Sequence, residues 1–131
     1  MSVIEDWGFS MIFQRLDTVL VRVKRLVEAK EWYETRMGFL EQYFDDRQKL
    51  VVFDTGGNTS LTLWELKEGE EISQGGTAAV FPIFAVNDAR EARETLLGKG
   101  VEAGEVITDE GVSFFTFRDI DGNQLEACQV H

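Results

Sequence analysis

The sequence predicts an α+β fold: two tandem βαβββ modules forming a curved mixed sheet around a cavity, helices outside. Three observations carry that prediction. The order strand, helix, three strands occurs twice along the 131 residues. Val23, before the first helix, corresponds to Val86, before the second, and Met37-Gly38-Phe39 corresponds to Lys99-Gly100-Val101, offsets of 63 and 62 residues. The strands alternate, one side rich in Val, Leu and Phe and the other more polar, as half-buried strands do.

Leu16 to Val23 reads as a strand with Val19, Val21 and Val23 on its core face and Thr18, Leu20 and Arg22 on the other. Val27 to Met37 is helical, with Ala29, Trp32, Tyr33 and Arg36 at helical spacing and Gly38 as the stop. Phe39 to Phe44 and Leu50 to Asp54 are short strands around a polar turn, and Thr55-Gly56-Gly57-Asn58 is a second turn. Ser60 to Glu65 alternates, with Leu61 and Leu63 inward. Lys67 to Gly76 is the expected linker.

The second copy begins with a strand over Ala79 to Val86 and a helix over Asp88 to Leu97, capped by Asn87 or Asp88 and ended by Gly98 and Gly100. Glu105 to Thr108 is a short strand. Val112 to Phe117 and Gln124 to Cys128 are strands joined by Asp119-Ile120-Asp121-Gly122-Asn123, where Gly122 supplies a positive φ. In the last strand Gln124, Glu126 and Cys128 share one face and Leu125 and Ala127 the other. The expected organisation is an N-terminal tail over 1–12 and a single domain over 13–131, with modules at about 13–66 and 77–131. The offset places Thr18 with Phe81 and Thr62 with Glu126.

Composition excludes several classes of function. With 24 acidic and 13 basic residues the formal net charge is −11, which argues against a nucleic-acid partner. No apolar run approaches the roughly 20 residues of a membrane span, so no membrane partner is expected. One cysteine rules out an internal disulfide and suggests a reducing compartment. Met1 to Trp7 lacks the basic start and apolar stretch of a signal peptide, and the expected location is cytoplasmic.

These residues resemble a family. The two βαβββ modules, Trp32-Tyr33 followed by Met37-Gly38-Phe39, the segment Val86-Asn87-Asp88, and the ending Asp119-Ile120-Asp121-Gly122-Asn123-Gln124-Leu125-Glu126 look like the vicinal oxygen chelate superfamily. This is the glyoxalase, bleomycin-resistance protein and extradiol dioxygenase group. The resemblance spans about residues 13 to 130, with Ile120 in place of a family proline. It implies a cavity that in the family's enzymes holds a divalent metal, on His, Gln or Glu side chains from the first and last strands of each half. Carried over, those positions fall on Thr18, Thr62, Phe81 and Glu126, so only Glu126 keeps a metal-binding group. The lone histidine, His131, is on the wrong face of its strand. One carboxylate is too few for a catalytic metal site, which takes about three protein ligands; no metal and no cofactor is expected.

Extending the alternation from Glu126 predicts the cavity lining: Thr18, Leu20 and Arg22; Ser60, Thr62 and Trp64; Phe81 and Ile83; Phe114, Thr116 and Arg118; Gln124, Glu126 and Cys128. Trp64, Phe81 and Phe114 could stack on a ring or a cation, or simply pack in a core. Arg22 and Arg118 could clamp a carboxylate or phosphate, or pair with Asp119 or Glu126. Glu126 could bind an amine or act as a catalytic base with a pKa raised by burial, or be one half of such an ion pair. Cys128 has no histidine placed to activate it as a nucleophile.

The resemblance then implies a metal-free small-molecule-binding protein of the glyoxalase/bleomycin-resistance type rather than an enzyme, sequestering a small organic molecule in an aromatic-lined cavity and acting as a homodimer. The alternatives are a lyase, isomerase or dioxygenase of the same superfamily using Glu126, and an interaction module whose cavity is filled by its own side chains.

Overall fold

The computed structural model describes residues 11–72 and 79–131. Most of the expected tail, including Trp7 and Phe9, and the linker residues Ser73 to Gly76 lie outside the described residues. The first module runs β1 (Thr18–Val23), α1 (Leu26–Trp32), β2 (Leu40–Asp45), β3 (Leu50–Asp54) and β4 (Ser60–Glu65). The second runs β5 (Ile83–Ala85), α2 (Ala89–Gly98), β6 (Ile107–Asp109), β7 (Val112–Arg118) and β8 (Gln124–Val130). Each module makes a four-stranded mixed sheet, ordered β1-β4-β3-β2 and β5-β8-β7-β6, with one parallel pair in each.

The registers repeat. Leu20 pairs with Thr62 and Thr62 with Val52 in the first sheet. Ile83 pairs with Glu126 and Glu126 with Thr116 in the second. Leu20 therefore matches Ile83, and Thr62 matches Glu126, at the offsets the sequence predicts.

Each helix covers one face of its own sheet, α1 lying on β3 and β4 and α2 on β7 and β8. The covered faces carry the core: Val21, Val23, Val51, Phe53, Leu61 and Leu63 in the first module, Phe115, Phe117, Leu125 and Ala127 in the second. The opposite face of each sheet is its outer face. In α1 the buried residues Leu26, Ala29 and Trp32 recur at helical spacing. Arg25 gives this helix no side-chain cap; the Glu65 carboxylate, from the end of β4, accepts the Leu26 N–H instead at 2.9 Å. In α2 Asp88 caps the helix as expected, accepting from the Glu91 N–H at 3.1 Å.

Two expectations change. The first helix is not uniform: after Trp32 it widens into a π-helical turn over Tyr33–Met37, closed by Gly38 at φ 74°. The strand expected over Ala79 to Val86 is ladder-paired only over Ile83–Ala85, so Phe81 stands ahead of β5. Pro82, which has no N–H to give a ladder, separates the two.

The modules are tied together by the Asp119–Asn123 turn. Asp119 is buried and accepts four hydrogen bonds: from the Tyr33 hydroxyl at 2.7 Å, the Asn123 side-chain amide at 3.0 Å, and the N–H groups of Asp121 and Asn123, both at 2.9 Å. Asp121 accepts from the Lys24 N–H at 2.8 Å, and the Asn123 amide also donates to the Arg22 carbonyl at 3.0 Å. Burial, then the Asp119 charge, pushes the Tyr33 phenol well above its ordinary pKa, so it stays a donor. Beside this clasp Phe39 and Phe84 pack across the module boundary, ring centroids 5.6 Å apart.

Candidate functional site: the cleft between the modules

β1 and β5 are the edge strands of their sheets. Between them lies an open cleft of about 1900 Å³. Thr18, Leu20 and Arg22 of β1 form one wall, and Phe81, Pro82 and Ile83 face it from the second module. Met37, Phe39 and Phe84 give it an apolar floor where the modules meet, and Glu70, Asn123 and Gln124 add polar groups at its margin. A concave, largely apolar space with a few polar groups is the usual form of a small-molecule site.

The sequence-derived lining lies on the outer faces, part of it bordering this cleft and part of it away from it. Thr18, Leu20, Arg22, Phe81, Ile83 and Gln124 line the cleft, whereas Thr62, Trp64, Phe114, Thr116, Glu126 and Cys128 do not. Those six lie on the outer faces of β4, β7 and β8, as the strand registers require.

On the outer face of the first sheet the polar groups bind one another. The Thr18 and Thr62 hydroxyls are 2.8 Å apart. Arg22 donates to the carbonyls of Trp64 at 3.2 Å and Glu65 at 3.1 Å and to the Glu70 carboxylate at 2.6 Å. The Trp64 ring is already engaged by the chain's own cations, Arg22 at 4.1 Å and Lys67 at 4.8 Å from its centroid. Its indole N–H donates to the Gln48 carbonyl at 3.0 Å. The expected stacking platform at Trp64 is therefore occupied from within.

The second sheet differs. Arg22 pairs with Glu70, and Arg118 donates to the Gly122 carbonyl at 3.2 Å. The expected pairing of either arginine with Glu126 or Asp119 is thus replaced: Asp119 is filled by neutral donors, and among the described residues Glu126 has no ion pair. Burial raises the Glu126 pKa above its ordinary value near 4.5. Cys128 is a free, half-buried thiol. His131 bonds to Ser113, on the helix-covered side, at 2.8 Å.

The four positions that the resemblance assigns to metal ligands hold a poor donor set. Thr18 and Thr62 offer hydroxyls already bonded to each other, and Phe81 offers none. Glu126 is the only carboxylate of the four. Among the described residues no three His, Cys, Asp or Glu side chains converge on a point that a metal could occupy. These side chains do not fit a catalytic divalent ion.

Two groups of consequence were not legible as such in the sequence. The sequence shows Asp119 and Asn123 as parts of a turn, and nothing in the chain points to Tyr33 as the partner of Asp119. Glu70 sits in an acidic stretch with linker composition, and no sequence signal distinguishes it from Glu68 or Glu71.

The comparisons with known proteins agree with this architecture. No protein of curated function matches the chain. Among solved structures, TnmS3, an antibiotic binding protein from Streptomyces sp. CB03234, superposes with a TM-score of 0.78 at 19% identity, over 93% of this chain and 100% of that one. A glyoxalase family protein from Bacillus anthracis gives 0.77 at 20% identity, over 94% and 100%. An integron cassette protein from the Halifax Harbour sewage outfall metagenome gives 0.75 at 22%, over 90% and 100%. At these identities the likeness is one of fold. The family model of the Glyoxalase/Bleomycin resistance protein/Dioxygenase superfamily matches residues 15–127. The chain belongs to that superfamily.

Proposed function

We propose that this protein binds a small organic molecule in the cleft between its modules and sequesters it without metal chemistry. The observation that carries this reading is the cleft itself: about 1900 Å³, apolar at its floor, with Arg22, Arg36, Lys99 and amides at its margin. The donor set at the superfamily's metal positions supports the metal-free part, since two mutually bonded hydroxyls and a phenyl ring compete poorly for a divalent ion. TnmS3, which shares the fold, is an antibiotic binding protein; binding of a small organic molecule is proposed here as well.

The second reading is an enzyme in which Glu126 acts as a general base. Its carboxyl, raised by burial and without an ion pair among the described residues, favours that reading over one in which it is a structural ion-pair partner. The proposed setting is cytoplasmic, and the proposed assembly is a homodimer, in which the exposed apolar side chains Leu40, Tyr43 and Ile107 would find cover. Sedimentation at micromolar concentration should then give about twice 14.9 kDa; a monomer under those conditions removes the dimer.

A thermal-shift screen of flat organic molecules tests the main reading. Any compound selective for the native state raises the melting temperature, by an amount set by its concentration over its Kd. Elemental analysis after dialysis should find no stoichiometric metal. About one tightly held divalent ion per chain would return the metal-dependent enzyme to first place.

A further inference from the structure

Arg22 is the one arginine on the β1 wall of the cleft, and its surroundings are those of an anion site already filled. Its guanidinium lies over the Trp64 ring, 4.1 Å from the centroid. Its Nε and Nη2 donate to the carbonyls of Trp64 and Glu65, which fix the direction of the group. The side chain is 27% exposed, so it is substantially withdrawn from water. The Asn123 amide of the other module holds the Arg22 carbonyl, anchoring this stretch of β1 from behind.

The acid that meets this group comes from the loop after β4. Glu70 touches it through one oxygen only, Oε1 to Nη2 at 2.6 Å, and that oxygen also accepts the Lys67 N–H at 2.7 Å. The contact is single, where an arginine and a carboxylate at their best form two parallel bonds. Among the described residues Nη1 has no acceptor. Glu70 itself is 40% exposed and carried on a short loop, so its withdrawal breaks little else than its bonds to Arg22 and Lys67. Leu20, Pro82 and Ile83 lie on the adjoining walls of the same cleft. A fixed, paired cation beside apolar surface, held by a replaceable internal carboxylate, is suited to an organic acid.

We propose that Arg22 is the anion-binding group of the cleft and that Glu70 occupies its place until displaced, so that the cleft takes a carboxylate borne on a flat apolar body. This inference rests on the reading of the cleft as a ligand site and names the class of ligand. An incoming carboxylate gains the two-bond geometry with Nη1 and Nη2 that Glu70 does not make, while its apolar body lies against Leu20 and Ile83. Glu70 then acts as a competitor that lowers the affinity of weak acids and excludes anions without an apolar body.

Isothermal titration with 2-naphthoate and its uncharged analogue 2-naphthamide tests this on the wild-type chain and on Glu70→Ala and Arg22→Gln. Removing the competitor should tighten naphthoate binding about tenfold, and removing the cation should weaken it about tenfold, the size of one charge-assisted contact. Naphthamide affinity should be the same in all three proteins. Melting curves verify that the variants are folded, and Arg22→Lys, which keeps the charge without the fork, should fall between wild type and Arg22→Gln. Glu70→Ala leaving naphthoate affinity unchanged or lower, or Arg22→Gln weakening both compounds alike, overturns the inference. If naphthamide binds and naphthoate is indifferent to both substitutions, the cleft remains a ligand site and only the acid preference fails. Binding of neither compound to any of the folded proteins removes both readings.

Discussion

Thr62 in β4 and Glu126 in β8 occupy the same place in their modules, each flanked by one parallel and one antiparallel neighbour in matching register. Their chemistry is opposite. Around Thr62 the polar groups close on one another: the Thr18 hydroxyl bonds to it, and Arg22, Trp64 and Glu70 form one connected set. Around Glu126, Thr116 and Gln124 make no side-chain hydrogen bond among the described residues, and the carboxyl is pushed toward its neutral form by burial. A repeated fold thus places equivalent side chains in equivalent positions, and the residue types then decide whether a face is closed by its own contacts or left open to a ligand or a second chain.

The largest effect should come from breaking the alternation on which the comparison rests. Leu125 is fully buried beneath α2, and Leu125→Asp should cost about 4 kcal/mol or more, enough to unfold a marginally stable domain. Gln124, one residue away on the half-buried outer face, should tolerate Gln124→Ala with little loss of stability. Chemical denaturation of the two variants checks this. Equal losses would mean that the faces of β8 are assigned the wrong way round.

The next largest effect should separate the two equivalent turns. Asp54 and Asp119 each accept an N–H two residues on, from Gly56 at 2.8 Å and Asp121 at 2.9 Å. Asp54 is exposed and does no more than close its turn, while Asp119 also receives the Tyr33 hydroxyl across the module boundary. Asp119→Ala should therefore cost about 3 kcal/mol by leaving several donors unmet, and Asp54→Ala about 0.5 kcal/mol. Similar losses from both would show that the clasp between the modules contributes nothing beyond its own turn.

Most of the scaffold behind this comparison was legible in the chain. Val19-Val21-Val23, Leu61-Leu63 and Leu125-Ala127 declare their faces by alternation, and the repeat alone aligns Thr62 with Glu126. Three things were not legible. Pro82 shortens β5, yet period-2 apolar residues continue on both sides of it, so Phe81 read as part of the strand. The Tyr33–Asp119 bond joins residues far apart in sequence, which local patterns do not encode. Arg22 has several acids within plausible reach, and its pairing with Glu70 depends on how one loop folds back rather than on any spacing.

The two outer faces also predict smaller, paired effects. Thr62→Val removes the partner of a half-buried Thr18 hydroxyl and should cost about 1 kcal/mol, whereas Thr116→Val, which loses no side-chain bond among the described residues, should cost less than about 0.5 kcal/mol. The smallest effect should be that of Glu126→Gln, and its sign depends on pH. A carboxyl whose folded pKa is raised binds more protons in the native state, so its ionisation lowers stability as pH rises from below its ordinary value near 4.5 through the raised value. The glutamine variant avoids that loss. It should match the wild type in acid and be slightly more stable at neutral pH, as pH-resolved melting curves would reveal. The reverse order at neutral pH would mean that Glu126 has a cationic partner in solution.

The central claim is that the cleft holds an organic molecule and does not transform it. The direct measurement is to incubate the protein with the strongest compound from the thermal-shift screen, denature the complex, and analyse the released compound by mass spectrometry. Sequestration predicts recovery of the compound unchanged, at a fixed ratio to protein, however long the incubation. Progressive conversion to a product of different mass or isomeric form, beyond one equivalent per chain, would contradict it and identify the protein as an enzyme.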